Sequence, residues 1–169
     1  PSDGAFEVES HLAPGRWLAF LPLALAGVLV QTSAEELAFR GYLQSQLAAR
    51  FPHPLVWIGL PSAGFALLHH DPVLNGDNAW LVVVWAGLFG AAAADLTARA
   101  GTLGPAIAMH FVNNCSAILL SAPEGNFDGL ALFTYPFSLA DREAVWMWAP
   151  VDIMVLFCSW LAARLVLRR

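Results

Sequence analysis

SAEELAFR, residues 33–40, places two carboxylates and a guanidinium between long apolar runs. A charged side chain at the centre of a membrane-spanning helix costs roughly 2.5–3.5 kcal/mol on insertion scales. Glu35, Glu36 and Arg40 therefore need partners, and charged groups at such a depth usually serve a function. This stretch predicts a polar site enclosed by apolar helices.

The composition indicates the class of protein that surrounds this stretch. The chain has 169 residues, of which 58% are hydrophobic and only 12% are charged. Soluble domains carry about 25% charged residues, so this chain has too few charges to cover a water-facing surface. Seven Trp and eleven Phe are typical of interfacial belts and lipid-facing surfaces. We predict a multi-pass integral protein of a bacterial inner (cytoplasmic) membrane, which uses the lipid bilayer as its solvent and binds no nucleic acid.

The apolar runs predict an all-α fold, a polytopic transmembrane bundle of about six helices with the active site inside it. We expect a single domain over residues 1–169, with a motif-bearing core at 33–121. The predicted helices are Trp17–Val30, Ser33–Arg50, Leu55–His69, Ala79–Ala98, Thr102–Ser121 and Ala144–Leu167. Residues 122–143 are predicted to form an exposed loop, because they contain several Gly and Pro residues.

The distribution of arginines predicts the orientation in the membrane. Three of the eight arginines fall within residues 164–169, which favours a cytoplasmic C-terminus. Counting spans backwards then places Arg50 and Arg99 on cytoplasmic turns. Glu35 and His69 are both expected towards the outer side.

The spacing of the charged residues on the second predicted helix suggests different roles for the two glutamates. Glu36 and Arg40 are four residues apart, which is the spacing of an ion pair on one helix face. Glu35 has no such partner by spacing, so it is the better candidate for a general acid or base. A purely structural alternative remains, since Ser33 and Glu36 also fit a capping box at a helix start.

Three further polar side chains fall inside apolar helices. His110 and Asn114 are one helical turn apart and point the same way, and both can donate hydrogen bonds to a developing oxyanion. His69 ends an apolar helix beside His70. Each alone has a structural explanation, namely a polar contact between helices or an interfacial residue. The combination with Glu35 favours one shared site.

Together, these residues form three short motifs that resemble, in order, those of the CPBP family of CAAX proteases and bacteriocin-processing enzymes, also called ABI proteins. This family includes the Ras-converting CAAX endopeptidase. The motifs are Glu35-Glu36-x-x-x-Arg40, Phe65-x-x-x-His69 and His110-x-x-x-Asn114.

The resemblance implies an intramembrane glutamic endopeptidase. By this analogy Glu35 and His69 would activate the attacking water, while His110 and Asn114 would stabilise the oxyanion. The supporting residues would be Glu36, Arg40 and Phe65. The implied mechanism needs no metal and no cofactor, although a glutamate and two histidines can in principle bind zinc.

The family cleaves several kinds of substrate, and we expect a membrane-anchored protein or peptide here. The predicted orientation favours a C-terminal sorting signal, as in the myxosortase-like branch, over a prenylated tail presented from the cytoplasm. Two other classes of function remain open. One is a non-catalytic scaffold or immunity-type protein that binds a partner. The other is a transporter in which buried charges relay protons, although the chain shows no inverted repeat.

Overall fold

Five helices form the bundle in the computed structural model, which describes residues 7–125 and 127–168. They are α1 (Pro14–Ala48), α2 (Leu55–Leu67), α3 (Pro72–Ala100), α4 (Gly104–Leu120) and α5 (Arg142–Val166). Helices α1, α3 and α5 are long and apolar enough to cross a membrane, whereas α2 and α4 are shorter. The predicted helical membrane architecture is confirmed, but the predicted number of six helices is wrong.

The difference lies at the start of the chain, where the predicted helices Trp17–Val30 and Ser33–Arg50 are one continuous helix. At 1.5 Å per residue, α1 is about 50 Å long. The polar residues that suggested a break are accommodated inside the helix, since the hydroxyl of Thr32 donates to the carbonyl of Val28 at 2.9 Å. Ser33 and Glu36 therefore lie within a helix, and the alternative of a capping box at a helix start is wrong.

A small sheet closes one end of the bundle, within the region predicted as an exposed loop. Strand β1 (Glu9–Ser10) pairs antiparallel with β3 (Phe133–Tyr135), and β3 pairs parallel with β2 (Ser121–Pro123). Strands of two or three residues are too short to show an alternating pattern, so sequence periodicity does not predict them. The sheet joins the segment before α1 to the connection between α4 and α5.

The direction of the helices follows from these connections. The start of α1, the α2–α3 connection and the sheet lie at one end of the bundle. The ends of α1, α3 and α5 lie at the other, where Nε of Arg164 on α5 is 3.5 Å from Oδ2 of Asp95 on α3. A continuous α1 therefore places residue 10 at the opposite end from residue 53, whereas six spans would place them at the same end.

Helix α3 lies at the centre of the bundle and packs closely on α2. Its small side chains allow this approach, as small residues do between membrane helices. The buried apolar cluster combines residues from α2 to α5, namely Phe65, Ala66, Ala86, Phe89, Ala93, Ala106 and Leu156. Helix α5 is more peripheral, since Ala144 and Leu156 are its buried residues. Many large apolar side chains are instead exposed on the outer helix surfaces, as expected for contact with lipid.

Cysteine labelling distinguishes the continuous α1 from two separate spans. In a Cys115→Ser/Cys158→Ser background, Ser10→Cys and Ser138→Cys should react with a membrane-impermeant maleimide from the same side. His53→Cys should react only from the opposite side. Labelling of Ser10→Cys and His53→Cys from one side would contradict the five-helix topology. All three positions are exposed, so access from water is comparable.

Candidate active site

One face of α1 carries a straight row of buried polar side chains. Thr32, Glu36, Arg40 and Gln44 are spaced four residues apart, and all four are buried. In a regular α-helix such a row rotates by about 40° at each step, since there are 3.6 residues per turn. Residues 37–44 adopt the wider π-helical turn, which reduces this rotation. The whole row therefore faces the interior of the bundle.

The far end of this row is anchored to the backbone of α3. Nη2 of Arg40 donates to the carbonyl of Gly90 at 3.1 Å, and Nε2 of Gln44 donates to the carbonyl of Ala94 at 3.0 Å. The side chain of Arg40 also lies over the Phe65 ring, with its guanidinium carbon 4.6 Å from the ring centroid. The charge of Arg40 is thus held by α2, α3 and its own helix.

Glu36 is the centre of the polar cluster. Its Oε1 accepts hydrogen bonds from Nη1 of Arg40 at 3.0 Å and from Nδ1 of His110 at 2.8 Å. The side chains of Glu36 and Arg40 are both fully buried and form an ion pair. The two residues are four positions apart, which is the spacing that the sequence predicted. Burying two charges is costly, so such a pair persists only where the geometry supplies good hydrogen bonds.

His110 lies between the two glutamates. While Nδ1 contacts Glu36, Nε2 is 3.7 Å from Oε2 of Glu35. The ring is buried and packs edge-on against Phe89, with 4.9 Å between centroids. Because Glu36 accepts from Nδ1, the other ring nitrogen is directed towards Glu35 and the more open side of the site.

Glu35 occupies that open side, where 31% of its side chain is exposed. The sequence predicted no ion-pair partner for Glu35 on its own helix, and a neutral side chain contacts it there instead. Nε2 of Gln31, four residues earlier, donates to its Oε1 at 2.7 Å. Gln31 was not singled out in the sequence, although its position one turn before Glu35 on the same face is a usable signal.

Asn114 reaches the same open side from α4. Its Nδ2 donates to Oε1 of Gln31 at 3.3 Å, and its Oδ1 accepts from Nδ2 of Asn113 at 3.3 Å. The helical spacing places Asn114 one turn beyond His110, as predicted. Glu35, His110 and Asn114 are thus brought together by α1 and α4.

His69 follows the last turn of α2 and joins the group through Phe65. Its Nδ1 is 2.8 Å from the carbonyl oxygen of Phe65, and the two rings are 4.6 Å apart. A carbonyl can only accept, so Nδ1 carries the proton and Nε2 is the free basic nitrogen. Within the described chain His69 makes no ion pair with Glu35. His70 points elsewhere and packs on Trp80 at 4.5 Å.

Phe65 is the side chain that links the three motifs. Its ring packs on His69 and Arg40, and it meets His110 edge-on with 5.9 Å between centroids. With only 2% of its surface exposed, Phe65 fixes the relative positions of α1, α2 and α4 at this level. Among residues 7–125 and 127–168, no group of three or more His, Cys, Asp or Glu side chains is arranged to hold a metal ion.

Comparison with known proteins shows the family. Residues 17–116, more than half of the chain and all three motifs, match the family model described as type II CAAX prenyl endopeptidase Rce1-like. The chain is therefore a membrane protein of the Rce1-like CAAX protease family, and the resemblance to the CPBP family is confirmed.

The chain is also similar to the uncharacterized protein YyaK of Bacillus subtilis (strain 168). The two are 33% identical over 104 residues, which cover 59% of this chain and 33% of YyaK. The aligned part thus spans about a third of that relative. No solved structure matches the chain.

The two adjacent glutamates should differ sharply in their effect on stability. Glu36→Gln removes the anion between Arg40 and His110, so we expect a loss of about 3–5 kcal/mol in the free energy of unfolding. Glu35→Gln alters a partly exposed carboxylate and should change this free energy by no more than about 0.5 kcal/mol. Unfolding of both variants in matched bilayer discs measures the difference, and equal losses would contradict the assignment of Glu36 as the buried centre.

Gly90 should be essential for the approach of α2 and Arg40 to α3. A Cβ at position 90 would lie 3.1 Å from Cα of Ser62 and 3.2 Å from Nη2 of Arg40. We expect Gly90→Ala to destabilise the fold by about 1–3 kcal/mol. Gly87→Ala, one turn earlier, is the matched control, because the added Cβ there meets Ala66 at an ordinary 3.5 Å. Equal stability of the two variants would contradict this packing.

Proposed function

We propose that this chain is an intramembrane endopeptidase that hydrolyses a peptide bond near the membrane end of a protein substrate. The observation that carries the proposal is the convergence of Glu35, His110 and Asn114 at a partly open site, beside the buried pair of Glu36 and Arg40. Membership of the Rce1-like family supports the same class of reaction.

In the proposed reaction, Glu35 and His69 activate the attacking water. The water oxygen bonds to the carbonyl carbon of the scissile peptide, and one water proton passes to the Glu35 carboxylate. The free Nε2 of His69 accepts a hydrogen bond from the same water and orients it. When the tetrahedral intermediate collapses, the C–N bond breaks and the proton held by Glu35 passes to the leaving amine.

His110 and Asn114 stabilise the oxyanion in this proposal. Asn114 keeps a second N–H after donating to Gln31, and this donor can reach a ligand at the open side. His110 donates to Glu36 from Nδ1, and its Nε2 can donate to the oxyanion when that nitrogen also carries a proton. Preorganised donors in a site with little water are among the largest contributions to catalysis.

The proposed substrate is a membrane-anchored protein whose cleaved bond lies close to the anchor. The proposed site residues lie on the apolar helices rather than on the end sheet. A substrate that is already anchored in the membrane can therefore reach them more easily than a water-soluble chain can. A prenylated tail and a C-terminal sorting signal both satisfy this requirement. If the C-terminus of this chain lies in the cytoplasm, as the arginines predict, the site opens towards the outer side. For that orientation we propose a C-terminal sorting signal as the substrate.

Comparison of protein termini in native cells tests the proposed activity. Cells with the wild-type chain or with Glu35→Gln, at matched protein levels, are analysed by terminal-peptide mass spectrometry. We expect new termini with the wild type that are absent with Glu35→Gln, because the acceptor of the water proton is lost. Glu7→Gln, at an exposed position outside the bundle, is the matched control and should retain these termini.

Identical termini in the wild-type and Glu35→Gln cells would contradict the endopeptidase. That result would instead favour a non-catalytic, partner-binding protein.

A further inference from the structure

A directed chain of hydrogen bonds runs from α4 to the Glu35 carboxylate. Asn113 donates to Asn114 at 3.3 Å, Asn114 donates to Gln31 at 3.3 Å, and Gln31 donates to Oε1 of Glu35 at 2.7 Å. Each amide nitrogen donates towards Glu35, and the oxygens of Asn114 and Gln31 each accept from the preceding amide. The three amides thus share one polarity, and Gln31 is the member that crosses between the two helices.

The carboxylate sets this direction. An ionised carboxylate can only accept hydrogen bonds, so the amide nitrogen of Gln31 must face Glu35. The carbonyl oxygen of Gln31 then faces Asn114, which must present its own nitrogen. The second N–H of Asn114 remains available on the same side. The orientation of the proposed oxyanion donor is therefore coupled to the charge of the proposed base.

The same contact distinguishes the two oxygens of Glu35. Gln31 occupies Oε1, which leaves Oε2 to receive a proton. Oε2 is the oxygen that lies 3.7 Å from Nε2 of His110. A donor on Oε1 thus leaves Oε2, which faces His110, as the oxygen open to the water proton.

We propose that Gln31 is a positioning residue that orients Asn114 and leaves Oε2 of Glu35 open to accept the water proton. This inference rests on the proposed function and adds one contact between α1 and α4, the Gln31 bridge, to the three motifs. Gln31 contributes no proton and contacts no bond that breaks. Its side chain is exposed, so its replacement leaves the buried cluster around Glu36 intact.

The titratable groups that face Glu35 define what a pH measurement reports. Glu36 and Arg40 lie on the same helix, and His110 faces it from α4. His69 belongs to α2 and does not contact it directly. None of these groups is altered by a substitution at position 31, so a changed pH profile reports on the bridge itself.

Two substitutions and one control test the bridge. Gln31→Met keeps the length of the side chain without either hydrogen bond, and Gln31→Glu places a second carboxylate beside Glu35. Gln46→Met is the matched control, because Gln46 is also an exposed glutamine on α1 and, among the described residues, its side chain bonds only to Arg50. The readout is the rate at which Glu35-dependent termini form in isolated native membranes, from about pH 5 to about pH 9.

We expect Gln31→Met to slow the formation of these termini by about 10- to 100-fold, since misplaced groups cost this much in rate. The acid limb of its pH profile should move to higher pH, because the charged carboxylate loses a donor. Gln31→Glu should move the limb further in the same direction through like-charge repulsion. Gln46→Met should match the wild type in both rate and profile.

Each of three results would contradict this proposal. An active Gln31→Met variant with an unchanged profile would overturn the positioning role and leave the endopeptidase standing. A slower variant with an unchanged profile would show a merely structural contact, which also overturns it. A wild-type protein that forms no Glu35-dependent termini would overturn the proposed function, and this inference with it.

Discussion

The arrangement of the site depends on one buried carboxylate oxygen, Oε1 of Glu36. This oxygen accepts hydrogen bonds from Arg40 on its own helix and from His110 on α4. A single atom therefore holds two donor side chains from different parts of the chain. Removing charges from water in an apolar bundle is costly, and the cost is offset only while all partners stay in place. The cluster therefore specifies how α1 and α4 face each other.

Two features of the backbone make this cluster possible. The π-helical turn after Glu36 keeps the buried polar row of α1 aligned, and such turns are frequent at functional sites. On α3, the absence of a side chain at Gly90 lets Arg40 reach the carbonyl of Gly90. A Cβ at position 90 would lie 3.2 Å from Nη2 of Arg40, so the guanidinium would have to shift from its place on α3.

The sequence was sufficient for the parts of the site that depend on local spacing. The pair of Glu36 and Arg40 follows from i,i+4 geometry, and His110 and Asn114 share a helix face for the same reason. The number of helices was not accessible in this way. Thr32 and its polar neighbours resemble a break between two apolar helices. The structure shows instead that α1 continues, with the hydroxyl of Thr32 bonded to the preceding turn.

Contacts between distant segments were also beyond the reach of spacing. The contact of His110 with Glu36 joins residues 74 positions apart, and the Gln31 bridge joins residues 83 positions apart. The family motifs placed His110 in the site but assigned it to the oxyanion alone. Its contact with Glu36 adds a structural role, because the same ring that faces Glu35 also holds α4 to α1.

The most direct test of this account is a double-mutant cycle between Glu36 and His110, measured as unfolding free energies in bilayer discs. Glu36→Gln, His110→Asn and the double variant give the coupling between the two helices. We expect a coupling of about 2–3 kcal/mol, so that the double variant is much less destabilised than the sum of the single variants. Losses that add to within about 0.5 kcal/mol would contradict it, since independent sites behave in that way.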